Sequence, residues 1–172
     1  MGELGEFTDE KTVRFERVLP RPIERVWEYV TKPELIATWL ADADFEPGVG
    51  GRVELRMRHA DDTKAGPPSA IIRGAITRWD PPNALAYTFR SAGTDDWAET
   101  NVSLELTSEG DRTRLLFVHT DIVGREWLAP TAAGWHTMLD DLQTRLAGGE
   151  PESFMPRLQA IGSEYQRRAA EV

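Results

Sequence analysis

The stretch Thr131–Ala147, TAAGWHTMLDDLQTRLA, constrains the rest of the chain more than any other. Trp135, Met138, Leu139, Leu142 and Leu146 recur at helical steps of three and four, which gathers them on one stripe of an α-helix. Pro130 and Thr131 supply a start signal, and Arg145 ahead of Gly148, Gly149 and Pro151 supplies a stop. Asp140, Asp141, Gln143 and Thr144 lie off the stripe and are expected to face water. Large apolar groups on one face require a concave apolar partner. Most of the preceding chain reads as strands, so the predicted partner is a sheet curved around this helix.

Alternation supplies those strands. Thr12–Leu19 carries Val13 and Phe15 on one face and Arg14 and Glu16 on the other. Pro20 and Pro22 end it, and Pro22 suits a helix's first turn. Ile23, Val26, Trp27 and Val30 repeat at helical spacing; Lys32-Pro33 then breaks that helix and opens a second with Leu35, Ile36, Trp39 and Leu40. A turn at Pro47–Gly51 leads to Val53, Leu55, Met57 and His59, alternating with Arg52, Glu54, Arg56 and Arg58. Further strands are predicted over 70–79, about 85–90, 97–107 and 113–120, the last apolar on both faces and therefore central. Short turns between them indicate an antiparallel meander. A connection over 121–130, with Trp127, is expected to cross to the long helix.

Beyond it, Phe154, Leu158, Ile161 and Tyr165 mark another amphipathic helix over about 152–171. The fold class is therefore α+β. The predicted organisation is a flexible lead-in over 1–11, one domain over 12–149 and an additional helix over 150–172. That last stripe is too apolar for water, and a self-complementary stripe makes a ready two-fold interface, so a homodimer is expected over packing within the chain.

Charge narrows the partners. A net charge of −9 repels phosphate backbones and anionic lipid, which argues against nucleic acid and membrane surfaces. Cysteine is absent, so disulfides, thiolate nucleophiles and cysteine zinc sites are excluded. No apolar run reaches the roughly 20 residues of a membrane span. The opening MGELGEFTDEK lacks the basic and apolar regions of a signal peptide, which predicts a cytoplasmic location.

The segments VLPRPIERVWEYVTKPELIATWL, PGVGGRVELRM, GAITRWDPPNALAYTF, TRLLFVHTDI and GWHTMLDDLQTRL stand in an order and spacing that is similar to one known family. From about Thr12 to Ala147 the chain resembles the activator of heat-shock-protein-90 ATPase homologue family, a branch of the START-like (SRPBCC, helix-grip) superfamily. The resemblance implies a curved antiparallel sheet gripping the long helix around an apolar cavity. It departs from the family at DIVGREWLAP and in the helix after Ala147. Fold alone does not fix function.

The expected cavity wall is Met57, Tyr87, Phe89, Phe117, Trp135, Met138 and Leu142. Trp97 and Trp127 are placed at its mouth, and His59 and His119 are its polar accents. His119 could act as a general base, with Asp121 as orienting partner. A structural histidine bonding the 121–130 connection is the preferred role, because a working base needs an orienting partner. His59 is expected at a wet rim, and His136 in a helix-surface pair with Asp140. Gly134 costs helix stability, so close approach of a strand or of the 121–130 connection is expected there. The histidines are too scattered for a metal site, and Gly48, Gly50 and Gly51 make no GxGxxG, so no metal and no cofactor are predicted.

Three functional readings follow. The first is non-covalent binding of a small hydrophobic or aromatic molecule. The second is a co-chaperone or protein-interaction domain using an acidic outer surface. The third is a polyketide cyclase- or dehydratase-like enzyme using His119. A cavity filled by its own side chains favours the second, and an open one with converging polar groups favours the third.

Overall fold

Burial alternates residue by residue along β2 (Thr12–Leu19): Val13, Phe15, Arg17 and Leu19 are buried and their neighbours are not. Every other side chain therefore points into one core. The computed structural model describes residues 2–57, 70–92 and 98–172. After β1 (Glu6–Asp9) and β2 come α1 (Ile23–Thr31), α2 (Pro33–Ile36), β3 (Ala41–Phe45) and β4 (Arg52–Met57). Then follow β5 (Ala70–Asp80), β6 (Ala84–Ser91), β7 (Thr100–Glu109), β8 (Arg112–Thr120), α3 (Arg125–Leu146) and α4 (Phe154–Ala169). The eight strands form one curved antiparallel sheet in the order β1-β2-β8-β7-β6-β5-β4-β3.

The register carries the core face across the sheet. Phe15 opposes Phe117, which opposes Leu104, which opposes Leu85. Val13, His119, Val102 and Tyr87 form the next row. At Gly74 the sheet admits no side chain, because a Cβ there would lie 1.8 Å from the Thr88 carbonyl oxygen of β6. The β5–β6 register shifts between Ile76 and Arg78, and a bulge of this kind bends a sheet. The opposite face carries cross-strand pairs of mixed sign, including Arg56–Asp44, Arg73–Glu54, Arg78–Glu105 and Arg114–Glu109. Within these pairs the opposite charges offset one another.

The long helix is where the sequence reading needs most correction. α3 begins at Arg125, not at Thr131, with Pro130 inside it and Gly124 as its N-cap residue. Proline lacks an N–H, but a ring near the start of a helix removes one bond without ending it. The residues expected as a connection, Trp127 among them, are thus helical. Leu128, Ala132, Trp135, Leu139, Leu142 and Leu146 recur at steps of four and three and are all buried.

A second face of α3 is buried as well. Ala129, Ala133, His136, Thr137 and Asp141 are covered, and α4 packs on this helix. Phe154, Ile161 and Tyr165 of α4 are buried within the same chain, and Leu158 is packed against the same core. The stripe that predicted a homodimer is therefore covered in cis, and that ground for a dimer disappears. The two aspartates expected in water are drawn inward by the same packing: Asp141 pairs with Arg157 of α4, and Asp140 accepts from the Gly2 N–H. His136 is 1% exposed instead of lying on the surface.

Two strands were not anticipated. Residues 6–9, inside the expected flexible lead-in, pair with β2, and Leu4 and Phe7 pack on the core. β3, with sequence ADADF, pairs with β4 along its whole length at the sheet edge. Aspartates at an edge disfavour pairing with another chain. Gly134 has open space around it among the described residues: a Cβ there would meet none of them within 4 Å beyond its own helix backbone, so no close approach by them explains the glycine.

Candidate functional site

Three polar side chains on the concave face settle into one relay. The Trp135 indole N–H donates to His119 Nδ1 at 2.8 Å. His119 Nε2 lies 2.7 Å from Thr100 Oγ1, and the Thr100 hydroxyl donates to the Phe89 carbonyl at 2.8 Å. An indole can only donate and a carbonyl can only accept, so every proton in the chain has one place. His119 is the neutral tautomer with its proton on Nε2. Burial agrees, lowering its pKa from 6.5 to about 4, with the Asp121 charge opposing only in part.

Neither ring nitrogen of His119 remains for a substrate. Its partners are Trp135 and Thr100, not the 121–130 connection expected. Asp121 does not orient it either. Its carboxylate accepts from Asn101 Nδ2 and from the Thr120 hydroxyl, on a backbone turned to φ 64°. Thr100 was missed, although the signal existed: it stands two residues before Val102, on the same strand face, and Val102 opposes His119.

Beneath this relay the space between sheet and helices is almost closed. A void of about 10 Å³ remains, about the volume that holds one water. Tyr87, Phe117 and Trp135 line it. Leu142 is fully buried in the core, and Met57 is buried at the end of β4. The helical corner adds Val30, Ile36, Trp39 and Leu40, which the sequence reading left out of the wall. Burial pushes the Tyr87 phenol upward, and among the described residues no charge or hydrogen bond opposes it.

Toward the strand ends the packing loosens. Phe89, near the end of β6, stacks edge-on to His119 with ring centres 5.1 Å apart and lies 5.9 Å from Trp135. Phe89 and Met138 are only half-buried. Trp127 is 42% exposed, and Val123 just before α3 is 57% exposed. Trp127, Gly134 and Met138 fall on one stripe of α3, distinct from the closed one. The predicted site residues thus separate into a closed group and an open rim. His59 and Trp97 lie outside the described residues.

A larger opening, about 820 Å³, lies between α3 and α4 and is lined by His136, Asp140, Gln143, Glu152 and Arg157, among others. Several of its polar groups hold distant parts of the chain together. Tyr165 OH accepts from the Gly5 N–H at 2.7 Å and bonds His136 Nδ1 at 2.9 Å. Asp140 lies between the Gly2 N–H at 3.0 Å, His136 Nε2 at 3.5 Å and Arg17 Nη2 at 3.8 Å. Burial pushes Asp140 up, but His136, Gly2 and Arg17 together outweigh it and hold the carboxyl below its ordinary value. Among the described residues no group of histidines and carboxylates is assembled to hold a metal.

The model of one family, described as activator of Hsp90 ATPase homolog 1-like protein, matches residues 20–147. No curated protein matches the chain. Among solved structures, a protein from Bordetella parapertussis is similar at 31% identity, over 97% of this chain and 91% of that one, with a TM-score of 0.76. CalU16 from Micromonospora echinospora is similar at 23% identity, over 92% of this chain and 88% of that one, TM-score 0.71. DynU16, a protein of the dynemicin biosynthetic locus, is similar at 21% identity, over 84% of this chain and 50% of that one, TM-score 0.69. At those last two identities the likeness is one of fold. No described helix is long and apolar enough to cross a membrane.

Proposed function

The chain belongs to the activator of Hsp90 ATPase homolog 1-like family, and on that premise we propose that it binds a small, neutral, apolar molecule non-covalently at the open rim of the sheet–α3 interface. The observation that carries this reading is the contrast between the two groups of predicted wall residues. The inner group is closed to about 10 Å³, while Phe89, Met138 and Trp127 remain partly or largely uncovered around the Trp135 edge. Aromatic and thioether groups left open beside a deep apolar core are what a hydrophobic ligand covers. A structural neighbour from a biosynthetic locus supports ligand binding in general.

Cyclase-type catalysis through His119 loses its residue, since both ring nitrogens are engaged. The protein-interaction reading keeps one point in its favour, the nearly filled interior. Its outer sheet face, however, has charges already engaged in ion pairs within the chain.

A neutral environment-sensitive dye such as Nile red tests the proposal. The native protein is expected to bind it saturably, and Met138→Trp to weaken binding at least tenfold while the unfolding midpoint stays unchanged. Undiminished binding in a folded Met138→Trp variant removes the rim as the site. If no dye binds and equimolar protein accelerates ATP hydrolysis by a heat-shock-protein-90 chaperone, the interaction reading replaces this one.

A further inference from the structure

The inner void has a single hydrogen-bonding group left to offer. Of its lining side chains only Trp39, Tyr87 and Trp135 carry a polar atom. The Trp39 indole N–H is spent on the Tyr29 carbonyl at 2.9 Å. The Trp135 N–H is spent on His119. The rest of the lining is aliphatic or phenyl. Tyr87 is 4% exposed, its ring is held edge-on by Phe45 at 6.0 Å, and among the described residues no side chain or backbone group bonds its hydroxyl. Burial acts on that phenol without opposition, so it stays protonated and is a donor.

We infer that Tyr87 is the residue that selects the ligand, by donating its hydroxyl to one carbonyl oxygen on an otherwise apolar neutral molecule, a ketone, aldehyde or ester. This rests on the binding reading above and names its ligand class. The size of the void sets the limit: about 10 Å³ takes one oxygen atom or one water, not a ring. The apolar body must then lie outward, along Trp135, which borders both the void and Phe89 of the rim. A carboxylate or ammonium in that void would be desolvated with no counter-charge in the lining, so charged head groups are rejected. A hydrocarbon can enter but leaves the Tyr87 hydroxyl unsatisfied, whereas a carbonyl satisfies it.

Two probes of matched shape separate these outcomes: 2-acetylnaphthalene, which has the carbonyl, and 2-isopropylnaphthalene, which has a methyl in its place. Tyr87→Phe is expected to weaken the ketone about tenfold, the loss of one neutral hydrogen bond, and to change the hydrocarbon less than twofold. If the variant does not fold, the wild-type protein still gives the answer. The carbonyl stretch of bound acetylnaphthalene should fall below its frequency in hexane. Equal effects on both probes, or an unshifted carbonyl, overturn the role of Tyr87 while leaving the binding reading in place. If neither probe binds the native protein, both fall together.

Discussion

Trp135 and His136 are adjacent in sequence and face opposite halves of the core. On the sheet side, Trp135, His119, Thr100 and the Phe89 carbonyl form a chain in which each donor meets one acceptor. On the α4 side, Arg17, His136, Asp140 and Tyr165 crowd together, yet Arg17 Nε and Nη2 and His136 Nε2 have no hydrogen-bond partner. Desolvation accordingly lowers the Arg17 pKa despite the nearby Asp140. Both halves bury polar groups; the relay satisfies each of its own members, and the α4-side cluster does not. The closed relay makes a chemically inert wall, suited to holding a ligand without reacting with it. The open cluster instead fastens the first residues and the last helix to α3 and leaves part of its desolvation cost uncompensated.

The largest expected effect is on the sheet side and depends on pH. His119 stays neutral in the fold down to about pH 4, whereas the unfolded chain takes up that proton near 6.5. As pH falls through this window the unfolded state binds more protons, so stability drops by about 1.4 kcal/mol per unit and about 3 kcal/mol in all. His119→Gln can still accept from Trp135 and donate to Thr100 but does not titrate. Urea unfolding from pH 7 to 4 should give a slope shallower by about one proton in the variant. Identical slopes in the two proteins would show that His119 titrates normally and that the relay is open to water.

On the α4 side a smaller effect is expected. Tyr165→Phe keeps the ring contacts with Phe7, Phe15 and His136 but leaves the Gly5 N–H and His136 Nδ1 without their shared partner. A loss of about 2 kcal/mol in urea unfolding at pH 7 is expected. A loss below about 0.5 kcal/mol would mean that α4 is held by apolar packing alone, and the contrast between the halves would reduce to hydration.

The sheet, the turns and the long helix were legible because they rest on local periodicity: alternation in β2 and β4, steps of three and four in α3. What was not legible depended on partners distant in sequence. Asp140, Asp141 and His136 read as solvent-facing because nothing local announces that α4 returns over them. Arg17 shares the face of Val13 and Phe15, but a charge on that face signals a partner 123 positions away only once Asp140 is in place. The wall residues were read as apolar and inward-facing from alternation and helical spacing alone. Their division into a closed interior and an open rim depends on side-chain volumes at the α1–α2 corner, which no spacing encodes. Pro130 misled because proline marks a helix start far more often than it sits in a helix interior.

The smallest expected effect falls between the halves. Gly134 sits on the third stripe of α3, with Trp127 and Met138, and among the described residues the space where a Cβ would project is empty to 4 Å. Its backbone is helical, so alanine fits the conformation without strain. Alanine also loses less chain entropy on folding, and the helix interior favours it over glycine by roughly 0.5–1 kcal/mol. Gly134→Ala should therefore stabilise the protein by that amount, raising the urea midpoint without changing the slope of the transition. It should leave both the acid slope set by His119 and the loss caused by Tyr165→Phe unaltered, because it touches neither network. A destabilised variant would place a neighbouring group against this stripe and close the rim on which ligand entry depends. A stabilised variant whose dye affinity falls would put Gly134 under the ligand itself, leaving glycine there for access and not for folding.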